Sequence, residues 1–207
     1  MKTNDEARQK IDARQELKIV AQMIQKTQQT VADRGAFFLL WGVLVSLACL
    51  ITFALNEYGR ESLIWLPWAT FMPIGGIVSM VLKRRYSKRA RHTSYVEHAY
   101  DSIWLACGLA FFIMMIVNTI TMSFPFESIY PFISFIAGIG VFASGRIMEW
   151  TSLWIGALFL WGGGVTMMLV PFHYHPLIMS VVLVPGYLIP GYLLMLHFRG
   201  QNANPEV

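Results

Sequence analysis

Six long apolar runs separated by short polar stretches dominate the chain. They lie at about residues 36–55, 63–82, 102–122, 129–145, 152–170 and 177–197, and none holds Asp, Glu, Lys or Arg within those limits. A helix rising 1.5 Å per residue needs about 20 residues to cross about 30 Å of hydrocarbon. The fourth run is the shortest. In lipid every backbone polar group must be satisfied within the protein, which leaves helices or a closed barrel. A barrel strand alternates with period two over about ten residues, and stretches such as Ile113-Met114-Met115-Ile116-Val117 show no alternation. The pattern predicts an all-α polytopic membrane protein with six transmembrane helices arranged as three hairpins.

Composition sharpens this picture. Apolar residues make up 56% of the 207 and charged residues only 14%, against about 45–50% and about 25% in soluble domains. A disordered chain, a nucleic-acid-binding domain and an ordinary soluble enzyme are thereby excluded. Cys49 and Cys107 both sit in apolar runs without metal-ligand spacing and read as small buried apolar residues.

The chain divides into a charged segment at 1–35, the six-helix domain at 36–197 and a short tail at 198–207. A secretory signal runs a short basic segment straight into an apolar one. Here a long stretch of mixed charge comes first, so the first span is expected to stay in the membrane. Within that stretch Ala13, Leu17, Val20, Ile24, Thr27 and Val31 recur at spacings of four and three, which predicts an amphipathic helix. Gly35 is a natural break before the first span. The apolar stripe must bury itself against the protein's own loops, the headgroups, a partner or a second copy. Leu17, Val20, Ile24, Thr27 and Val31 form the candidate docking face.

Charge asymmetry sets the expected orientation. Fifteen Lys and Arg fall in the N-terminal segment, the loop at 83–101, the turn at Arg146 and the C-terminal tail, whereas the opposite loops hold only Arg60. The positive-inside rule then puts both termini in the cytoplasm, with outer loops at 56–62, 123–128 and 171–176. Trp65 and Trp68 outside, and Trp41, Trp104, Trp150 and Trp154 inside, suit the interfacial belts. A weak threefold pattern accompanies this: each returning helix has a proline near its outer end (Pro67, Pro131, Pro176) and a basic residue at its exit (Lys83, Arg146, Arg199).

Several segments could carry chemistry. Lys83, Arg84, Arg85, Lys88, Arg89 and Arg91 form a dense basic cluster that serves orientation and contact with anionic lipid headgroups, at about 1 kcal/mol per basic residue. His92, Glu97, His98 and Asp101 follow it, a weak metal set. Pro185-Gly186 and Pro190-Gly191 interrupt the sixth run, and Asn118 is the only amide within a span. Broken helices point to transport sites, so Asn118, Pro185, Gly186, Pro190 and Gly191 mark a candidate substrate path; close helix packing is the competing use of the same small residues. Coupled transport normally needs an intramembrane charge, which these spans lack. At the outer side His173 and His175, in an extended loop, would share one side and could take Glu57, Glu61 or Glu127 as a third metal ligand.

Two enzyme signals are rejected. Gly138-Ile139-Gly140-Val141-Phe142-Ala143 fits G-x-G-x-x-A but lies inside a span without βαβ context. Phe142-Ala143-Ser144-Gly145 resembles the rhomboid-protease serine motif, yet Phe142 replaces its first glycine and Ser144 falls at the inner end of its helix. No motif calls for a cofactor.

Ala21-Gln22-Met23-Ile24-Gln25-Lys26-Thr27-Gln28, then Phe37-Phe38-Leu39-Leu40-Trp41-Gly42, together with a third span opening Asp101-Ser102-Ile103-Trp104, resemble a family of uncharacterised bacterial multi-pass membrane proteins. The resemblance implies a bacterial inner-membrane location and carries no activity. The sequence therefore leads to a non-enzymatic inner-membrane scaffold or regulatory module that docks a partner through its N-terminal helix. A transporter or channel for a neutral or lipid-like solute is the alternative, with no nucleic acid as partner in either case.

Overall fold

The computed structural model describes residues 35–87, 95–122 and 124–202. Every regular element among them is helical: α1 (Gly35–Glu57), α2 (Trp65–Ser87), α3 (Tyr95–Thr121), α4 (Ile129–Ile147), α5 (Thr151–Leu169), α6 (His175–Leu183) and α7 (Ile189–Asn202). A π-turn, Val184–Leu188, joins α6 to α7, so the two run on as one sixth span. Six helices are thus long and apolar enough to cross a membrane. The chain is an all-α, multi-pass membrane protein. The predicted amphipathic helix over 13–31, with Leu17, Val20, Ile24, Thr27 and Val31, lies outside the described residues, as do Lys88, Arg89 and Arg91 of the basic loop.

Helix ends depart from the apolar runs in one direction. α2 continues through Lys83, Arg84 and Arg85, and α3 begins well before Ser102, so the expected loop at 83–101 is shortened from both sides. An apolar run measures the hydrocarbon, whereas a helix extends into the headgroups as long as its backbone bonds are satisfied. Each return at the far end is built alike, with a 3-10 turn (Glu61–Leu63, Phe126–Ser128, Phe172–Tyr174) ahead of a helix. Pro67, Pro131 and Pro176 fall in the first turns of those helices, where a missing N–H costs nothing. Inside the spans, hydroxyls bond one turn back: Thr52 to the Ala48 carbonyl, Thr119 to Met115 and Thr166 to Gly162. Lipid offers them no water to bond instead.

Neighbouring spans pack antiparallel at paired contacts. The Trp41 indole donates to Ser79 Oγ (3.1 Å) and the Trp68 indole to Thr52 Oγ1 (3.2 Å), one near each end of α1 and α2. The Trp104 indole donates to Ser144 Oγ (3.1 Å), linking α3 to α4. Ser134 Oγ donates to the Leu160 carbonyl (2.6 Å) and the Trp161 indole to the Phe135 carbonyl (3.3 Å), linking α4 to α5. Three tryptophans read from sequence as interfacial anchors (Trp41, Trp68 and Trp104) therefore spend their N–H groups on adjacent helices. Trp65, 62% exposed, keeps the outward position.

Candidate functional site

Lys83, Arg84, Arg85 and Arg146 gather at the end of the bundle where α1 begins. The Lys83 ammonium meets the Asp101 carboxylate at 2.8 Å and so ties α2 to α3 across the basic loop. Arg84, Arg85 and Arg146 are exposed. Beneath this layer Phe38 of α1, Tyr100 and Trp104 of α3 and Tyr187 of the π-turn form an aromatic cluster, with Phe38 edge-on to the other three at 5.7–6.5 Å between centroids. Gly35 and Gly191 close the same end. A methyl on Gly35 would lie 2.9 Å from the Gly191 carbonyl oxygen, and one on Gly191 would lie 3.1 Å from that of Gly35. The backbones of α1 and α7 therefore touch directly where the N-terminal segment joins the bundle.

The predicted substrate-path residues are placed differently from one another. Gly186 seats the Leu160 side chain and Gly191 seats Phe38, so both serve close helix contact. The interruption expected in the sixth span takes the form of the π-turn, with Pro185 inside it and Pro190 just after it. Ile189 N–H bonds the Val184 carbonyl and Pro190 has no N–H, so the Pro185 carbonyl gets no donor from its own helix in either register. That oxygen abuts Gly156: a methyl there would stand 2.9 Å from it and 3.0 Å from the Gly186 oxygen. Asn118, the amide of the candidate path, takes the Phe124 N–H on Oδ1 (3.0 Å) and shapes the return into α4. It also lines a dent of about 10 Å³ with Met114, Phe124, Ser128, Ile129 and Phe132, room for about one water.

At the opposite end the two histidines part company. Phe172–Tyr174 is a 3-10 turn rather than an extended loop and His175 already opens α6, so the two side chains point to different sides. His173 reaches out to Glu57, Nε2 to Oε1 at 2.6 Å, joining the end of α1 to the start of the sixth span. His175 turns inward, 3% exposed, and its Nε2–H donates to the Val170 carbonyl at 3.0 Å. The shared-side expectation is corrected, while the named carboxylate Glu57 does meet one imidazole. Among the described residues no three His, Cys, Asp or Glu side chains gather around a metal position.

Both partners of the His173–Glu57 pair are partly exposed, at 39% and 51%. Exposed pairs contribute under about 1 kcal/mol. A double-mutant cycle with His173→Gln and Glu57→Gln, read by thermal unfolding in detergent, is expected to return a coupling below that figure. A larger value would make the pair a principal fastener of the bundle.

The sequence reading missed the Phe38–Tyr100–Trp104–Tyr187 cluster. The one available signal was Tyr100 lying one helical turn before Trp104; Phe38 and Tyr187 come from remote runs. Ser144, the serine of the rejected protease motif, is fully buried, accepts from Trp104 and donates to the Gly140 carbonyl at 2.7 Å. It has a structural part in the α3–α4 contact. Among known proteins, no family model, no curated protein and no solved structure matches this chain.

Proposed function

We propose that this chain is a non-enzymatic scaffold or regulatory module of a bacterial inner membrane. Both termini are cytoplasmic, and a partner protein or a second copy docks on the N-terminal face of Leu17, Val20, Ile24, Thr27 and Val31. The observation that carries this reading is the direct backbone contact of Gly35 with Gly191. It gives the N-terminal segment a fixed root on the last helix, so a docked partner would be held at a defined position on the bundle. The charge asymmetry supplies the orientation. The transporter or channel reading has the π-turn in its favour, since π-turns gather at functional sites. Gly186 of that turn packs against Leu160, and Gly191 just beyond it packs against Phe38, which favours a packed scaffold.

The test is in-cell crosslinking of the full chain beside a version lacking residues 1–32. A specific adduct, to another protein or to a second copy, that vanishes with the deletion is the expected result. Identical adducts from both versions would remove the docking role and turn attention to flux through the bundle.

A further inference from the structure

Three indoles are seated on neighbouring helices in the same way. The Trp41 and Trp104 N–H groups bond Ser79 and Ser144, and a glycine stands four positions before each serine. The same rings lie over those glycines. A methyl on Gly75 would stand 3.2 Å from the Trp41 ring, and one on Gly140 would stand 3.3 Å from that of Trp104. The Trp68 N–H bonds Thr52, with Ala48 four positions before it. Ser144 and Thr52 also donate back to the carbonyls of Gly140 and Ala48, which leaves their oxygen lone pairs to the indoles. The unit is a small residue followed one turn later by a hydroxyl. Each lies on a span antiparallel to the one that carries the tryptophan.

α5 carries a fourth unit, and its face is open. Thr166 is exposed and donates to the Gly162 carbonyl at 2.9 Å, and a methyl on Gly162 would meet nothing within 4 Å. Leu158, Phe159 and Val165 are half exposed around it, so Gly162 is a notch in an otherwise bulky ridge. Gly76 and Gly108 are equally open, but the residues four positions after them are Met80 and Phe112, which offer no hydroxyl. The chain also supplies an indole to match. Trp65 opens α2 and is the one exposed tryptophan among the described residues, where its N–H meets no acceptor.

We propose that copies of this chain associate within the membrane, the Trp65 ring of one lying on Gly162 of another and its N–H bonding Thr166 Oγ1. Depth and direction select this occupant. Thr166 lies three residues before the end of α5, about 4.5 Å along the axis. That end is on the same side of the membrane as the start of α2, because the spans alternate in direction. Copies inserted in the same sense present α2 antiparallel to α5, as in the three filled units. A lipid chain could enter the notch but brings no N–H to the threonine, and interhelical hydrogen bonds are among the forces that join helices in lipid. This contact does not use the N-terminal segment.

The experiment labels the full chain at its C-terminus with a donor or an acceptor fluorophore. Energy transfer between copies is read in phosphatidylcholine vesicles over a range of protein-to-lipid ratios. Association of the unmodified chain is expected. Gly162→Leu, which fills the notch on an open face, should abolish it, and Gly108→Leu should leave it unchanged. Gly162→Ala should keep it, since Ala48 already serves the Trp68 unit. Trp65→Phe and Thr166→Val should each weaken association about three- to tenfold, the worth of one hydrogen bond, and the double variant no more than either alone. A monomeric unmodified chain, or transfer that survives Gly162→Leu, would overturn the proposal. Additive losses from Trp65→Phe and Thr166→Val would overturn the pairing of those two residues. The chain lacking residues 1–32 should associate equally well. Loss of transfer on that deletion would assign self-association to the N-terminal face and overturn the seat on α5.

Discussion

Alanine at Gly156 is expected to destabilise the bundle by about 1–3 kcal/mol, the usual range for forcing extra volume into a packed core. Alanine at Gly162 is expected to stabilise it by up to about 1 kcal/mol. Both glycines lie on α5, less than two helical turns apart, and their surroundings decide the sign. A methyl at Gly156 runs into the Pro185 and Gly186 carbonyl oxygens at 2.9 and 3.0 Å. These are backbone atoms of a turn that two prolines already constrain, so neither can yield alone. The close approach also allows the Gly156 Cα–H groups to face the Pro185 oxygen, which has no donor from its own helix. Separating the helices would leave that carbonyl bare in hydrocarbon, a state that membrane helices avoid. Gly162 faces open space, and alanine there gains only helix propensity. Thermal unfolding of the two variants in one detergent reads the difference directly. Equal midpoints would mean that the π-turn does not pack against α5 as described.

The triplet Gly162-Gly163-Gly164 shows what the sequence could and could not disclose. Three adjacent glycines announce close packing somewhere on that helix. Their individual roles differ: Gly162 is open, a methyl on Gly163 would stand 2.6 Å from Val182, and one on Gly164 would stand 3.1 Å from the Phe135 ring. Assigning them needs the rotation of α5 about its axis. In a soluble helix a polar face would reveal that rotation, but α5 is apolar all round, and lipid tails and helix neighbours select the same side chains.

The six spans were legible for the opposite reason, because about 20 apolar residues in a row have few other uses. Where a polar side chain would aim was harder to read. Asn118 accepts the Phe124 N–H six residues on, a bond to the return rather than to a neighbouring span, and no residue type in the run signals that choice. His173 and His175 separate because the segment curls into a 3-10 turn, for which Pro171-Phe172-His173 gives no local signal. Glu57 as a partner of His173 was readable only as one of three acids on the same side. Contact across 116 residues selected it.

Phe38→Ala is expected to lower stability by roughly 2–3 kcal/mol through the cavity it leaves. The transfer part of a core truncation in water is small here, because side chains released from the bundle enter lipid rather than water. The cavity part remains, and Phe38 has few ways to relieve it. It is 2% exposed and stands among the rings of Tyr100, Trp104 and Tyr187, which come from two other spans, with Gly191 packed so close that a methyl on it would stand 2.9 Å from the Phe38 Cβ. Edge-to-face ring pairs of this kind add about 0.5–1.5 kcal/mol each beyond simple burial. Leu109→Ala, on the 58% exposed face of α3, removes similar apolar volume towards lipid and should cost well under 1 kcal/mol. The contrast also bears on function. Phe38 follows Gly35 by one helical turn, so its loss loosens the root from which the N-terminal segment leaves. Crosslinks that depend on residues 1–32 should weaken in Phe38→Ala and persist in Leu109→Ala, at temperatures where both variants remain folded. If the two variants crosslink alike, docking does not depend on that root, and the Gly35–Gly191 contact serves the bundle alone.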